Sequence, residues 1–413
     1  MKKIYIWGAG KYVRTVYDAV NKDRCVIAGI VDRNKKRLGE AVIEDVFIAS
    51  PDILKSEDFD YIVIGAKNYW PLLEDCRALG IEDNKILIFW DNKRDFHGII
   101  DERVKKIIDL EEELQIYKWK LNNLPYELGV EKGPTIKSAE ELLNYILENK
   151  VSLCRFGDGE FEIMRETERP WYQKVDKNLS KRLKEIIGSS NDNIAIAIAD
   201  NFGNLDRYTE KAANAIRQYL YGDTRKEVMS FFDFNRFYFD AYVSRPYLMY
   251  EDKRHAEKIF KLFKKIWNKR ELLIVEGENS KMGVGNDLFI NADRIRRVIC
   301  PEKNAFSQYD KIINTVREMV TENELVLVSL GPAATVLAYD LGAEGIQTLD
   351  IGQIDNEYEW FIRNAQDRIE IPGKCVAELS WCHQPQEIVL DDCYEGQIVE
   401  RIGSEGESYA LEK

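Results

Sequence analysis

Apolar and polar positions along the chain fall into short alternating blocks. Apolar runs at 4–7, 25–31, 60–66 and 85–90 are separated by stretches with helical spacing at 12–20 and 69–79. Runs of this length suit buried strands, and strands that alternate with helices predict a parallel, doubly wound sheet. From 101 to 122 the pattern becomes a charged helix. Val104, Ile107, Leu114, Tyr117 and Leu121 recur on one stripe at spacings built from three and four, with Glu111 interrupting it. About three heptads is short for an independent coiled coil, so this helix is expected to dock on a domain, with pairing of two chains as the second reading. Pro125, Gly129, Gly133 and Pro134 then mark a boundary.

A second series of elements follows. A helix at 138–148 opens with Ser138 and Glu141 spaced as a capping box. Strands are expected at 151–156, 194–199, 272–275, 294–300, 325–330 and 348–351, with a helix at 205–221. Short strands are expected at 388–390 and 397–402. The fold class is therefore α/β. The expected partition is a Rossmann-like module at 1–98, a helical linker at 99–134, a larger α/β domain at 135–370 and an extension at 371–413.

Composition narrows the function. The chain has 413 residues and a net charge of -13, which argues against non-specific nucleic-acid binding. No apolar stretch approaches the ~20 residues that span a bilayer, and the N-terminus lacks a signal-peptide pattern. Seven scattered cysteines and three histidines suggest neither a disulfide framework nor a structural zinc site. A reducing cytoplasm is the expected location. His383, near Trp381, reads as packing or surface rather than catalysis.

Candidate chemistry sits at the ends of the apolar runs. Gly8 and Gly10 start a dinucleotide-binding fingerprint, with Asp32 near the place of a ribose-binding acid, but Val13 stands where the third glycine belongs. A small Rossmann-like module and a sugar-nucleotide site are both open readings, with NAD chemistry below them. In Arg155-Phe156-Gly157-Asp158-Gly159-Glu160 an apolar run ends at a glycine-flanked turn. If that turn is extended, Asp158 and Glu160 face one side, where two carboxylates suit a hard divalent cation. Gly157 lets a phosphate approach the backbone. The same residues also make an ordinary solvated turn.

The loop 278–287, with Lys281, Gly283 and Asn286, reads as a mobile anion-binding loop. The loop 301–306, with Asn304, could hold a base or phosphate. Gly331-Pro332-Ala333 starts a helix whose free N–H groups suit phosphate, or simply connects a strand to a helix. The aromatic cluster Phe231, Phe232, Phe234, Phe237, Tyr238, Phe239 and Tyr242 is expected in the core, with stacking on a base or sugar as its second reading. In an open α/β sheet all these strand ends can meet in one crevice.

Taken in order from about 135 to 365, these motifs resemble the bacterial GT-D fold glycosyltransferases. The carriers are Arg155 to Glu160, Val275-Glu276-Gly277 with Gly283 to Phe289, Pro301 to Phe306, Gly331 to Ala334 with Leu337 to Leu341, and Asp350 to Trp360. The resemblance implies an inverting transfer of a sugar from a nucleotide diphosphate, typically a UDP-sugar, to a glycan or glycoprotein. It implies that Asp158 and Glu160 serve a Mn²⁺- or Mg²⁺-diphosphate site. It also implies a catalytic base in the last segment, carried to Glu357 with Glu359 and Asp355 as fallbacks. Gln353 stands where members often have His. Arg155, Gly157, Lys281, Gly283, Asn286, Asn304, Gly331 and Ala333 are the expected donor-binding residues. The competing readings are an NAD-dependent sugar-nucleotide oxidoreductase or epimerase, and a non-catalytic binding module.

Overall fold

The computed structural model describes residues 1–34, 37–43, 46–91, 95–167, 173–374, 376 and 392–403. The expectations for His383, Trp381 and the strand at 388–390 lie outside these residues. The chain divides into two compact units, Met1–Tyr117 and Lys118–Lys413.

The first unit contains β1 (Lys2–Trp7), α1 (Val13–Ala19), β2 (Cys25–Val31), β3 (Ala41–Ile43), β4 (Val46–Ala49), β5 (Tyr61–Ile64), α2 (Trp70–Ala78) and β6 (Ile86–Ile88). The sheet order is β3-β4-β2-β1-β5-β6, parallel except for the β3/β4 edge pair. β1 is apolar on both faces because helices cover both sides of a doubly wound sheet. Gly8 turns out of β1 at φ 114°, a left-handed conformation that glycine adopts without strain. Val13, in place of the third glycine, packs into the core at the start of α1.

The helix α3 (Glu102–Glu127) runs farther than the sequence suggests, with Pro125 inside its last turns rather than after it. The apolar stripe is not what anchors it. Ile107, Leu114, Tyr117 and Leu121 are all exposed, whereas Val104 and Ile108 pack against the first unit's core. Leu110, not Glu111, occupies the stripe between Ile107 and Leu114.

The second unit contains β7 (Thr135–Lys137), α4 (Ala139–Asn149), β8 (Ser152–Phe156), α5 (Asp158–Met164), α6 (Lys177–Ile187), β9 (Ile194–Ile198), α7 (Glu210–Tyr219), α8 (Thr224–Met229), β10 (Phe237–Asp240), α9 (Arg254–Ile266), β11 (Glu271–Gly277) and β12 (Arg294–Cys300). It continues with α10 (Tyr309–Met319), β13 (Leu325–Ser329), α11 (Pro332–Ala343), β14 (Thr348–Asp350), α12 (Ile354–Ile362), α13 (Asp392–Gln397) and β15 (Ile398–Arg401). The nine strands are all parallel, in the order β15-β12-β11-β13-β14-β8-β9-β10-β7. Successive strands step outward from β8 through β9 to β10, and the chain then crosses back to β11. The connectivity therefore reverses beside β8, which places a crevice at the carboxyl ends there.

Two helices show how composition sets depth. α9 buries Ala256, Ile259, Phe260, Phe263 and Ile266 at helical spacing and turns its lysines outward. α11 is apolar except at Thr335, Tyr339 and Asp340, and nine of its twelve residues are buried. It packs on β8, β13 and β14 on one side and on α6 and α10 on the other. Gly342 lets it approach β8: a Cβ there would meet Ser152 Oγ at 2.6 Å and its Cβ at 2.7 Å. Ser152 cannot easily swing away, because its Oγ accepts the Thr348 N–H at 3.0 Å.

Helix propensity alone predicts that Gly342→Ala stabilises by about 1 kcal/mol. The overpacking is the larger effect, and urea denaturation is expected to show a loss of about 1–3 kcal/mol. A gain in stability would mean that α11 does not sit this close to β8.

Candidate active site

A cavity of about 920 Å³ lies at the carboxyl ends of the central strands of the second unit. Its walls come from the segments after β8, β9, β10, β11, β12, β13 and β14. Of the residues expected from sequence, Arg155, Gly157, Asp158, Glu160, Asn304 and Gly331 line it. Lys281, Gly283, Asn286, Ala333 and Glu357 do not border it, although their neighbours Ser280, Met282, Pro332, Asp355 and Asn356 do.

One ion pair organises the cavity floor. Arg155, at the end of β8, donates through Nη2 to Asp350 Oδ1 at 2.8 Å and through Nε to the Asp350 carbonyl at 2.9 Å. Its Nη1 donates to Ser244 Oγ at 2.7 Å and to the Ala241 carbonyl at 3.3 Å. Arg155 thereby fastens β8 to the ends of β14 and β10, so its hydrogen bonds are spent on the fold. Gly352, at φ 47°, leaves the guanidinium its place: a Cβ there would lie 2.0 Å from Nη2. Burial pushes the Asp350 carboxyl up, and Arg155 pulls it back down.

The Asp-Gly-Glu segment is helical rather than extended. Asp158 and Glu160 sit in the first turn of α5, and Glu160 reaches back to accept the Gly157 N–H at 2.7 Å. This closes the helix start as a capping box does and satisfies an otherwise orphaned donor. Asp158 remains exposed, and its Oδ1 accepts the Gly159 N–H at 3.0 Å. Burial, and then the Asp350 charge, push the Glu160 carboxyl up to about 7, against the pull of the Gly157 N–H and Arg155. Gly159 faces Pro332, with 3.8 Å between its would-be Cβ and the ring, so the starts of α5 and α11 meet at the cavity. Gly331 turns into α11 at φ 56°, a conformation that favours glycine.

The acids of α12 divide by face. Residues four apart share a helix face and residues two apart do not. Asp355 and Glu359 both accept from Asn286 Nδ2, at 2.8 Å each, and from the buried Lys374, at 2.6 and 3.2 Å. Asp355 also accepts the Gly283 N–H at 2.9 Å, which ties the 278–287 loop to α12. Glu357 points the other way and accepts the backbone N–H groups of Tyr247 and Leu248 at 3.0 and 3.2 Å. Glu276, at the end of β11, is fully buried between Arg297 at 2.6 Å and the Met282 N–H at 2.8 Å. Asn304 takes a left-handed conformation, and its Oδ1 accepts the Lys174 N–H at 2.8 Å. Gln353 borders the cavity. Ala333 is buried in the first turn of α11.

The sequence did not point to Asn201 or to Ser244. Asn201 follows β9, borders the cavity and donates to the Tyr242 hydroxyl at 3.1 Å. Its Oδ1 is buried without a hydrogen-bond partner among the described residues, so an acceptor waits at the cavity wall. No local pattern marks a lone Asn after a strand. Tyr242 also borders the cavity, whereas Phe232, Tyr238 and Phe239 lie in the core and Phe234 and Phe237 are exposed.

Among the described residues, no group of three or more His, Cys, Asp and Glu side chains could enclose a metal. The donor set at the cavity is the carboxylate pair Asp158 and Glu160. Their hard oxygen donors suit Mg²⁺ or Mn²⁺, although the two carboxylates, two positions apart on α5, leave it from different faces and Glu160 also closes the helix start. In the first unit, Asp32 is already engaged: one oxygen accepts the Ala9 N–H at 2.7 Å and the other the Asn34 N–H at 2.9 Å.

The second unit matches the family model described as "Glycosyltransferase GT-D fold" over residues 153–379, and residues 1–87 match "C2185-like, N-terminal". The chain belongs to the GT-D fold glycosyltransferase family. It is 40% identical over 278 residues to a probable glycosyl transferase, Gly, of Streptococcus gordonii, and 39% identical over 270 residues to the glycosyltransferase GlyD of Streptococcus pneumoniae. These matches cover 67% and 65% of this chain but only 40% and 32% of the relatives. Among solved structures, a domain of unknown function 1792 described as having a distinct glycosyltransferase fold is 36% identical. It superimposes with a TM-score of 0.62 over 69% of this chain and 98% of its own. A glycosyltransferase of the same type from Streptococcus sanguinis is 36% identical, with a TM-score of 0.59 over 66% of this chain and all of its own.

Beside the cavity, Asp240 caps the turn that carries Tyr242. It accepts the Tyr242 N–H at 2.8 Å and the Tyr250 hydroxyl at 3.2 Å. Burial, and then the charge of Asp200, push its carboxyl up to about 7, against the Tyr242 N–H, Arg207 and Tyr250. Between the ordinary carboxylate range and about 7, the folded chain keeps a proton that the unfolded chain has released. This group therefore subtracts stability as pH rises through that window. Asp240→Asn removes the effect, so the variant's urea midpoint should gain on that of the parent from pH 5 to pH 8. A constant difference across that range would contradict the buried, protonated carboxyl.

Proposed function

We propose that the chain is a metal-dependent inverting glycosyltransferase. It transfers a sugar from a nucleotide diphosphate, a UDP-sugar, to a glycan or glycoprotein acceptor in the cytoplasm. The observation that carries this reading is the meeting of Asp158 and Glu160 with the start of α11 on one cavity. The names of the relatives support the transferase class, while the donor and acceptor are what the family resemblance implies.

In this reading Asp158 and Glu160 hold Mn²⁺ or Mg²⁺, which when bound supplies positive charge to the leaving diphosphate as a Lewis acid. The N–H groups at Gly331 and Ala333 add donors at the positive end of a helix. Pro332 lacks an N–H, so the first helical position costs the helix no internal bond but supplies no donor of its own. Asn201 Oδ1 offers an acceptor to an N–H or O–H of the bound sugar nucleotide. Lys281, Gly283 and Asn286 act through the loop that Asp355 anchors, and Arg155 and Gly157 hold the floor in place.

Inversion requires a carboxylate base on the side of the sugar opposite the leaving group. Of Asp355, Glu357 and Glu359, Asp355 borders the cavity, so we assign the base to Asp355 rather than to Glu357. Glu357 becomes the clamp that orders 247–248.

Turnover of a panel of UDP-sugars, with and without EDTA, tests the proposal. EDTA is expected to abolish transfer and Mn²⁺ to restore it, and Asp158→Ala should lower kcat by about 10²-fold or more. Unchanged transfer after both treatments refutes the metal role. Asp355→Asn should lower kcat by about 10²–10⁴-fold, as loss of a general base does. Loss of transfer with Glu357→Gln in a folded protein, but not with Asp355→Asn, would return the base to Glu357.

A further inference from the structure

We propose that α3 pairs two copies of this chain as a parallel, in-register coiled coil. Ile107, Leu110, Leu114, Tyr117, Leu121 and Leu124 are spaced alternately by three and four residues. This is the 3.5-residue repeat of a coiled-coil seam. All six are exposed, from 42% at Leu124 to 67% at Leu121. A single exposed leucine is ordinary, but a continuous apolar seam along a helix of 26 residues is an association surface.

The helix does not need this seam to fold. Its other side is held within the chain: Lys105 and Asn123 are buried, and Glu112 pairs with Lys67 at 2.5 Å. Three heptads are marginal for a free peptide, because ordering the helix costs most of what its packing returns. Here the helix is ordered in advance, and only association remains.

The charges beside the seam specify the occupant. Taking Ile107 as position a, the flanking g and e positions include Lys106, Glu111, Glu113 and Lys118, all exposed. In a parallel pair in register, each g residue meets the e residue five positions on in the other helix. Lys106 then faces Glu111 of the second copy, and Glu113 faces Lys118 of the second copy. Both contacts are attractive and both occur twice by symmetry, so the chain is complementary to itself. An antiparallel pair would instead set e against e, where Glu111 still meets Lys118, and g against g, which draws on Lys120 and Glu127. Those two already bond within the chain, Lys120 to Glu210 at 2.7 Å and Glu127 to Arg217 at 2.8 Å. The parallel arrangement is therefore the one that pairs all four exposed charges with one another.

Sedimentation equilibrium of the full chain tests this. The parent is expected to be a dimer at micromolar concentration. The doubly substituted Leu114→Glu, Leu121→Glu chain is expected to be a monomer with unchanged thermal unfolding of its two units. Lys106→Glu alone should weaken the dimer by about tenfold, because two attractive contacts become repulsive. Adding Glu111→Lys should restore it. A monomeric parent, or a dimer that survives the two glutamates, overturns the proposal. A dimer weakened further by Glu111→Lys, rather than rescued, overturns the parallel register, since the antiparallel pair would lose a second contact.

Discussion

The candidate active-site cavity is organised by one buried ion pair. Arg155 and Asp350 sit at the ends of adjacent strands beside the point where strand order reverses, and Arg155 also reaches Ser244 and the Ala241 carbonyl beyond β10. Removing either partner would leave a buried charge uncompensated, at a cost of about 3–5 kcal/mol. The pair also sets distances. It fixes the ends of β8, β14 and β10 relative to one another, and with them the helix starts and turns that face the cavity. Gly352 exists beside it because any side chain there would occupy the space of the guanidinium.

Around that pair the acids divide into two groups. Glu276, Glu357 and Glu359 are buried and matched to specific donors, so they hold loops in place. Asp355 is matched in the same way but also borders the cavity. Asp158 and Glu160 differ: they occupy the first turn of a helix, where Asp158 is exposed and Glu160 closes the helix start. Asp158 and Glu160 at the cavity wall, beside the start of α11, are where we propose that a cation and a diphosphate bind. The same fold therefore uses one residue type both to build the crevice and to equip it.

Much of this was legible in the chain. The bounds of β2 and β12 were legible to the residue, β2 because all seven of its residues are apolar or glycine and β12 because its buried end, Val298 to Cys300, is apolar. The Ser138–Glu141 cap was legible because a capping box is local chemistry. The Asp158–Glu160 segment was located, but it is neither of the two conformations the sequence suggests, extended or a solvated turn: it starts a helix. Glycine on both sides of Asp158 disguised a helix start that is set by the reach of Glu160 to the Gly157 N–H. Choosing among Asp355, Glu357 and Glu359 required knowing that they lie on a helix, and which face of it the sheet covers. Arg155 was legible as a residue of the site but not as its strut, because its partners lie 86 to 195 positions away. Asn201 carried no signal at all, since its importance comes from an oxygen left unpartnered by tertiary packing.

The central claim is that the nucleotide diphosphate binds at the carboxyl ends of the second unit's strands, over Asp158 and Glu160. Amide hydrogen exchange of the full chain with and without UDP and Mn²⁺ tests it most directly. The account predicts slowed exchange at 157–161 and 331–334 when both are present, and little change there with either alone. Slowed exchange confined to the Gly8–Gly10 turn of the first unit, with those two segments unaltered, would contradict it.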